Sequence, residues 1–403
     1  MNQSQSSVSA LFLYPFRIFF IAGSIWAVIA VALWISLLMG NLILPLGLPG
    51  TVWHGHEMIH GFTSAIIAGF LLTAMSNWTG IPAISGTPLI LLFLLWLAAR
   101  IALIFSALLP PILMFMTPLF YLVLVLHTAR ILLISGNRRN LIMPLVLLLL
   151  GTGSSLMLWG AISADYAWVQ AGEKVSLYLL TLLIAVIAGR ITPAFSSSWL
   201  RQRGFHHEDL IRLPKLEVIC ILSLLLLVVA DLGGADLGTP DWLIALLALF
   251  AAVAHLSRLL LWRSWRIHPE PLLWILHLGY FVLVLSLLSR AVVAASPALG
   301  LHLSLSTWIH LFGTGAIGIM VIGVMSRVAL GHTGRPLLLP KLALIAFFTI
   351  IATALTRTLS LLVPGNYLLW LAVSALLWCL AFTLFIVCYW RILSSPRPDG
   401  KHG

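Results

Sequence analysis

Twelve apolar runs, most of them near the ~20 residues that an α-helix needs to cross a bilayer, leave this 403-residue chain few folds to choose from. They fall at 17–38, 53–77, 87–109, 111–134, 141–163, 174–193, 215–231, 241–263, 271–294, 306–330, 340–362 and 367–391, each broken by Pro, Gly or charged residues. Hydrophobic residues make up 61% of the sequence and charged residues 8%, and the mean hydropathy is +1.11. A water-soluble domain is excluded by that balance. The expected fold class is all-α: a polytopic membrane protein of about twelve transmembrane helices, forming a single transmembrane domain over 1–403.

Charge placement gives an orientation. Of 22 Lys and Arg, only Arg100, Lys174, Arg290 and Arg357 fall toward the side reached by the first helix. The rest recur toward the opposite side, as Arg130, Arg138 and Arg139, then Arg201, Arg203, Arg212 and Lys215, then Arg263 and Arg266, Arg335 and Lys341, and Arg391, Arg397 and Lys401. The positive-inside rule therefore puts both termini in the cytoplasm. Asp165, Glu173, Asp231, Asp236 and Asp241 mark the outward side, so the net charge of +11 reads as a topology signal and not as a nucleic-acid footprint. Cys220, Cys379 and Cys388 sit in apolar segments without paired spacing, which favours neither a disulfide framework nor a thiolate metal site. A Walker-type phosphate loop, a G-x-G-x-x-G following a strand and G-x-S-x-G are missing, so group transfer has no support, whereas His56-Glu57-Met58-Ile59-His60 does carry the H-E-x-x-H spacing.

Metal or cofactor chemistry does have support. The second helix opens with Trp53-His54-Gly55-His56-Glu57-Met58-Ile59-His60-Gly61-Phe62, three imidazoles and a carboxylate near a membrane interface. Ionisable groups inside a bilayer are costly, and neutral imidazole is a good ligand for iron and copper. At ~100° per residue His56 and His60 lie about 40° apart, whereas His54 points about 200° away from His56, so the three cannot share one axial position. A shift of 254 residues places His56 on His310, Gly61 on Gly315, Gly69 on Gly323 and Thr79-Gly80 on Thr333-Gly334. Together with a fainter echo at Gly189-Arg190-Ile191-Thr192-Pro193, this suggests three four-helix pseudo-repeat units over 17–134, 141–263 and 271–391.

One imidazole from each of two facing helices can hold a metalloporphyrin, which makes His56 and His310 the candidate axial pair. The stripes Gly61–Ala65–Gly69 and Thr314–Gly318 either leave room beside such a group or let helices pack closely. Arg100, Arg290 and Arg357 are candidates for pairing with its propionates, or else snorkel to the interface. His54, Glu57 and His60 either build a second metal site or orient His56 through its other ring nitrogen. His277, beside Gly279 and Tyr280, is a further candidate for the site, with helix-end packing as its alternative. Glu57, Tyr280 and His255 could carry protons. His206, His207, His268, His302 and His402 read as loop or interface residues.

The run Trp53 to Met58, the downstream Asn77-Trp78-Thr79-Gly80, His277-Leu278-Gly279-Tyr280, and His310 leading through Gly315-Ala316-Ile317-Gly318 to Gly323-Val324-Met325-Ser326-Arg327 and Gly331-His332-Thr333-Gly334-Arg335-Pro336 resemble the NnrS family. That resemblance implies a bacterial inner-membrane protein holding haem, expected to be b-type, and copper, linked to denitrification and nitric oxide tolerance. The arrangement is also similar to the catalytic subunit of haem-copper oxidases and nitric oxide reductases, whose second-metal ligands come from the sixth and seventh helices. Here both helices lack His, so a second metal would draw on His54, Glu57, His60 or His277. The expected function is binding of nitric oxide, and its reduction in the manner of a haem-dependent oxidoreductase, with a quinol or periplasmic carrier as electron donor. The alternative is a proton-coupled or metal transporter using the same cluster.

Overall fold

A computed structural model describes residues 10–204, 213–233, 238–363 and 365–400; His206, His207, Arg212, Asp236, Lys401 and His402 lie outside them. Among the described residues there is no strand. Twelve helices there are long and apolar enough to span a bilayer: α1 (Pro15–Leu38), α2 (Gly50–Thr79), α3 (Thr87–Ile104), α4 (Pro111–Ile134), α5 (Arg138–Ile162), α6 (Tyr166–Arg201), α7 (Pro214–Gly233), α8 (Asp241–Arg266), α9 (Pro271–Ala295), α10 (Leu305–His332), α11 (Lys341–Leu362) and α12 (Tyr367–Leu393). In hydrocarbon each main-chain N–H and C=O needs a protein partner, which a helix supplies from within the segment. Leu91, Leu126, Val229 and Leu376 stand exposed on these helices, as side chains facing acyl chains do.

One helix outruns the sequence reading. The sequence places the sixth span at 174–193, but the helix continues through Pro193 to Arg201. Proline removes one N–H, yet a broken helix at membrane depth would expose several unbonded groups, so continuing costs less. Ser196 Oγ donates to the Thr192 carbonyl at 2.9 Å, and Trp199 Nε1 donates to Glu270 at 3.0 Å, which fixes the added turns.

The chain forms two compact units, one of Met1–Leu179, Arg327–Leu337 and Phe382–Gly403, the other of Leu180–Ser326 and Leu338–Ala381. In the first, α2 is the most enclosed span, with 78% of its apolar stretch buried against 33% for α4. Its glycines admit α1: a methyl on Gly69 would lie 3.0 Å from the Phe20 ring, and Gly23 of α1 backs onto Ala65 and Ile66. In the second unit, Gly315 of α10 abuts Val282 and Ala354, and Gly318 abuts Ile350 and Trp378. Both small-residue stripes are therefore filled by neighbouring helices, and close packing is what they serve.

α2 and α10 share an irregularity. α2 is α-helical over Gly50–His56, π-helical over Glu57–Phe62 and α-helical again over Thr63–Thr79. α10 repeats the order with Leu305–His310, a π-helical Leu311–Ile317 and Gly318–His332. The π turns start 254 residues apart, the same offset that aligns His56 with His310. Each histidine is the last residue before its π turn. The two helices also finish at left-handed glycines, Gly80 (φ 72°) and Gly334 (φ 68°), a conformation that side chains with a Cβ avoid.

Candidate functional site

The π turn of α2 brings His56, Glu57 and His60 into one buried cluster in the first unit. Their side chains are fully enclosed, and the two imidazole centroids lie 5.0 Å apart. Such turns leave carbonyls without the usual helical partner, and here Gly61 O accepts from Trp96 Nε1 and Ser64 Oγ, both at 3.0 Å. Gly61 itself could carry no side chain, since a methyl there would sit 2.6 Å from Glu57 Oε2 and 2.7 Å from Trp26 Nε1. Arg100 of α3 straddles the Glu57 carboxylate, with Nη1 at 2.9 and 2.8 Å from its two oxygens, while Nη2 donates to Thr117 Oγ1. Inside the membrane the carboxylate is met by a guanidinium.

Hydrogen-bond partners settle which ring nitrogen carries the proton in each neutral imidazole. His56 Nδ1 faces Glu57 Oε1 at 3.2 Å, an acceptor, so Nδ1 holds the proton and Nε2 accepts from Ser154 Oγ at 2.8 Å. His60 is reversed. Ser176 spends its proton on the Gly172 carbonyl (2.7 Å), so it accepts from His60 Nε2 at 3.1 Å, and His60 Nδ1 accepts from Tyr121 OH at 3.2 Å. His54 turns away from both and stacks on Trp34, with centroids 4.8 Å apart and planes within 10°.

In the second unit, His310 follows the His56 pattern. Its Nδ1 donates to the Ser306 carbonyl at 2.9 Å, and its Nε2 lone pair meets Arg357 Nη2 at 3.1 Å. His277 follows the His60 pattern: Nε2 donates to Ser196 Oγ (2.9 Å), whose own proton goes to Thr192 O, and Nδ1 accepts from Ser264 Oγ at 2.7 Å. His255 likewise donates from Nε2 to the Cys220 carbonyl at 3.2 Å and accepts at Nδ1 from Tyr280 OH at 2.6 Å. Arg258 Nη1 donates to Tyr280 OH at 3.0 Å and pairs with Glu217, filling the space that Gly189 leaves. Arg290 pairs with Asp231 at 2.8 Å and lies over the Trp308 ring.

Metal-bound histidines usually fix one ring N–H on a carboxylate or main-chain carbonyl and ligate through the other nitrogen. Among the five spanning-helix histidines with described partners at both nitrogens, His56 and His310 meet that requirement with Nε2 as the lone-pair nitrogen. The cover on His56 Nε2 is a single rotatable hydroxyl. Arg100 Nε and Trp53 Nε1 are buried N–H groups without an acceptor, leaving donors for a further polar group at this cluster. The donor set therefore fits a metalloporphyrin ligand at each of these two histidines. The second-metal candidates are scattered: His277 belongs to the second unit and His54 faces Trp34. Among the described residues no three His, Cys, Asp or Glu side chains converge as a metal cage.

Sequence reading missed Tyr121, Ser154 and Ser176, the neutral groups that face the imidazole nitrogens, and Thr117, which accepts from Arg100, because isolated hydroxyl residues in apolar helices carry no distinguishing pattern. It also missed Asp231 and Glu217 as partners of buried arginines. A faint signal existed for Glu217, one helical turn into α7 and acidic in a basic region.

Twelve membrane-crossing helices enclosing oriented imidazoles and charge-paired arginines define a multi-pass membrane protein with polar sites held inside its units. Residues 10–397 match the family model described as NnrS protein, so the chain belongs to the NnrS family. It is accordingly a membrane protein of nitric oxide-related function. No curated protein matches the chain.

Proposed function

We propose that the protein binds haem, with Nε2 of His56 as the ligating nitrogen in the first unit and Nε2 of His310 as that in the second, and acts in the bacterial cytoplasmic membrane to bind nitric oxide and reduce it. The observation that carries this reading is the shared tautomer: both histidines hold Nδ1–H on a fixed acceptor and keep Nε2 as the lone-pair nitrogen. When bound, haem would supply a one-electron couple, and nitric oxide would bind at the open position of a second metal. The chain's own contribution is orientation. Glu57 accepts from His56 Nδ1 and so keeps its lone pair on Nε2, and Arg100 holds the Glu57 carboxyl group in place. Ser154 Oγ turns aside to release Nε2, while Tyr121, Thr117 and Ser176 fill the cluster and keep water out. His60 and His54 are the residues left for copper in the first unit.

Purification in detergent, with metal analysis and oxidised, reduced and nitric-oxide-treated spectra, tests this on wild type, His56→Ala and His310→Ala. Loss of the haem signal is expected in either variant. Full occupancy in both would remove the ligand assignment, and a wild type free of haem after growth with ample haem would favour transport by the same cluster.

A further inference from the structure

Five arginines are buried in the spanning helices: Arg17, Arg100, Arg258, Arg290 and Arg357. Arg100, Arg258 and Arg290 each meet a carboxylate, from Glu57, Glu217 and Asp231. Arg17 donates to the carbonyls of Leu393 and Ser395, both at 2.7 Å, at the carbonyl-rich end of α12. Arg357 differs. Its Nη2 meets the His310 lone pair at 3.1 Å, its Nη1 donates to Ser360 Oγ at 2.8 Å, and its remaining side-chain partner is the Tyr367 phenol. All three are neutral. Ser360 in turn spends its proton on the Arg357 carbonyl at 2.7 Å, so it can only accept from the guanidinium.

A buried guanidinium is stable when an anion answers its charge, and its planar fork suits a carboxylate or similar oxyanion. The Nδ1 proton of His310 is pinned to Ser306 O, and a second proton beside a guanidinium is disfavoured, so His310 orients Arg357 without sharing its charge. We propose that Arg357, positioned by His310 and Ser360, seats a carboxylate or small inorganic oxyanion near the end of α11. The carboxylate could come from bound haem or from solution. A group that takes the His310 lone pair frees Arg357 Nη2 for the anion, which couples the two events. Only the haem source rests on the proposed function; the anion seat does not.

Calorimetric titration of the full-length protein in detergent with sodium formate, at constant ionic strength balanced by chloride, tests the assignment. Saturable binding is expected in wild type, at least tenfold weaker in Arg357→Gln and partly kept in Arg357→Lys. Haem-free and haem-loaded preparations tell the sources apart: formate bound only without haem means that the cofactor's carboxylate fills the seat, and equal binding in both means a free anion. Should Arg357→Gln not fold, Ser360→Ala carries the test with a several-fold loss. Formate affinities equal to wild type in the variants, or no saturable binding in either preparation, would overturn the proposal. A wild type that takes up no haem when haem is supplied, yet binds formate, would refute the haem reading alone.

Discussion

Fully buried Glu57 turns both of its oxygens to Arg100 Nη1, and the dependence of each residue on the other can be measured. Removing one partner of a buried pair strands the other, typically at about 3–5 kcal/mol. Arg100→Gln is therefore expected to lower stability by roughly that amount, read as the unfolding midpoint in detergent, whereas Arg100→Gln with Glu57→Gln should lose clearly less than the two single changes summed. Additive losses would mean that the pair does not act as a unit. At the same cluster, Glu57→Gln removes the carboxylate that holds His56 Nδ1–H, and outer-shell changes of this kind weaken ligation by about 10–100-fold. Ser154→Ala takes away only the hydroxyl covering Nε2. Haem retention should fall in the first variant and hold in the second; the opposite order would mean that Ser154, and not Glu57, orients the ring.

The π turns make unequal demands on their glycines. A methyl on Gly61 would intrude on Glu57 and Trp26, and one on Gly315 would lie 2.6 Å from Val282 Cγ1, whereas one on Gly313 would meet nothing within 4 Å. Overpacking costs about 1–3 kcal/mol, so Gly61→Ala and Gly315→Ala should destabilise by that order. Gly313→Ala should be neutral or gain up to ~1 kcal/mol from helix propensity. Thermal midpoints of the three variants decide it, and equal losses at all three would contradict the packing. Much at this scale was legible in sequence: the spans, the offset relating α2 to α10, and the nearness of His56 to His60. The π turns were not, because a one-residue widening of a helix leaves no mark in hydrophobic periodicity when every face is apolar. For the same reason α6 was cut short at Pro193, where membrane burial outweighs the local signal of proline. Arg100 and Arg290 were readable as buried cations near the outer side, but their partners came from other helices, and pairing across helices has no sequence spacing.

Over the whole molecule, orientation follows from where lysine and arginine accumulate. At the junctions of α4 with α5, α8 with α9, and α10 with α11 stand Arg138 and Arg139, Arg263 and Arg266, and Arg335 and Lys341, while the turn between α5 and α6 carries Asp165. Basic loops resist translocation, so the former turns should lie in the cytoplasm and the latter outside it. That orientation would place the starts of α2 and α10, with His56 and His310, toward the outer side, and Glu217 of α7 toward the cytoplasm. Single cysteines test it once Cys220, Cys379 and Cys388, none of them in a disulfide, are replaced. Arg139→Cys and Ser163→Cys both stand at exposed positions in turns flanking α5. A membrane-impermeant maleimide added to intact cells should label Ser163→Cys and spare Arg139→Cys until the membrane is permeabilised. The reverse pattern would turn the molecule over, putting the His56 cluster on the cytoplasmic side and requiring any electron donor to approach from there.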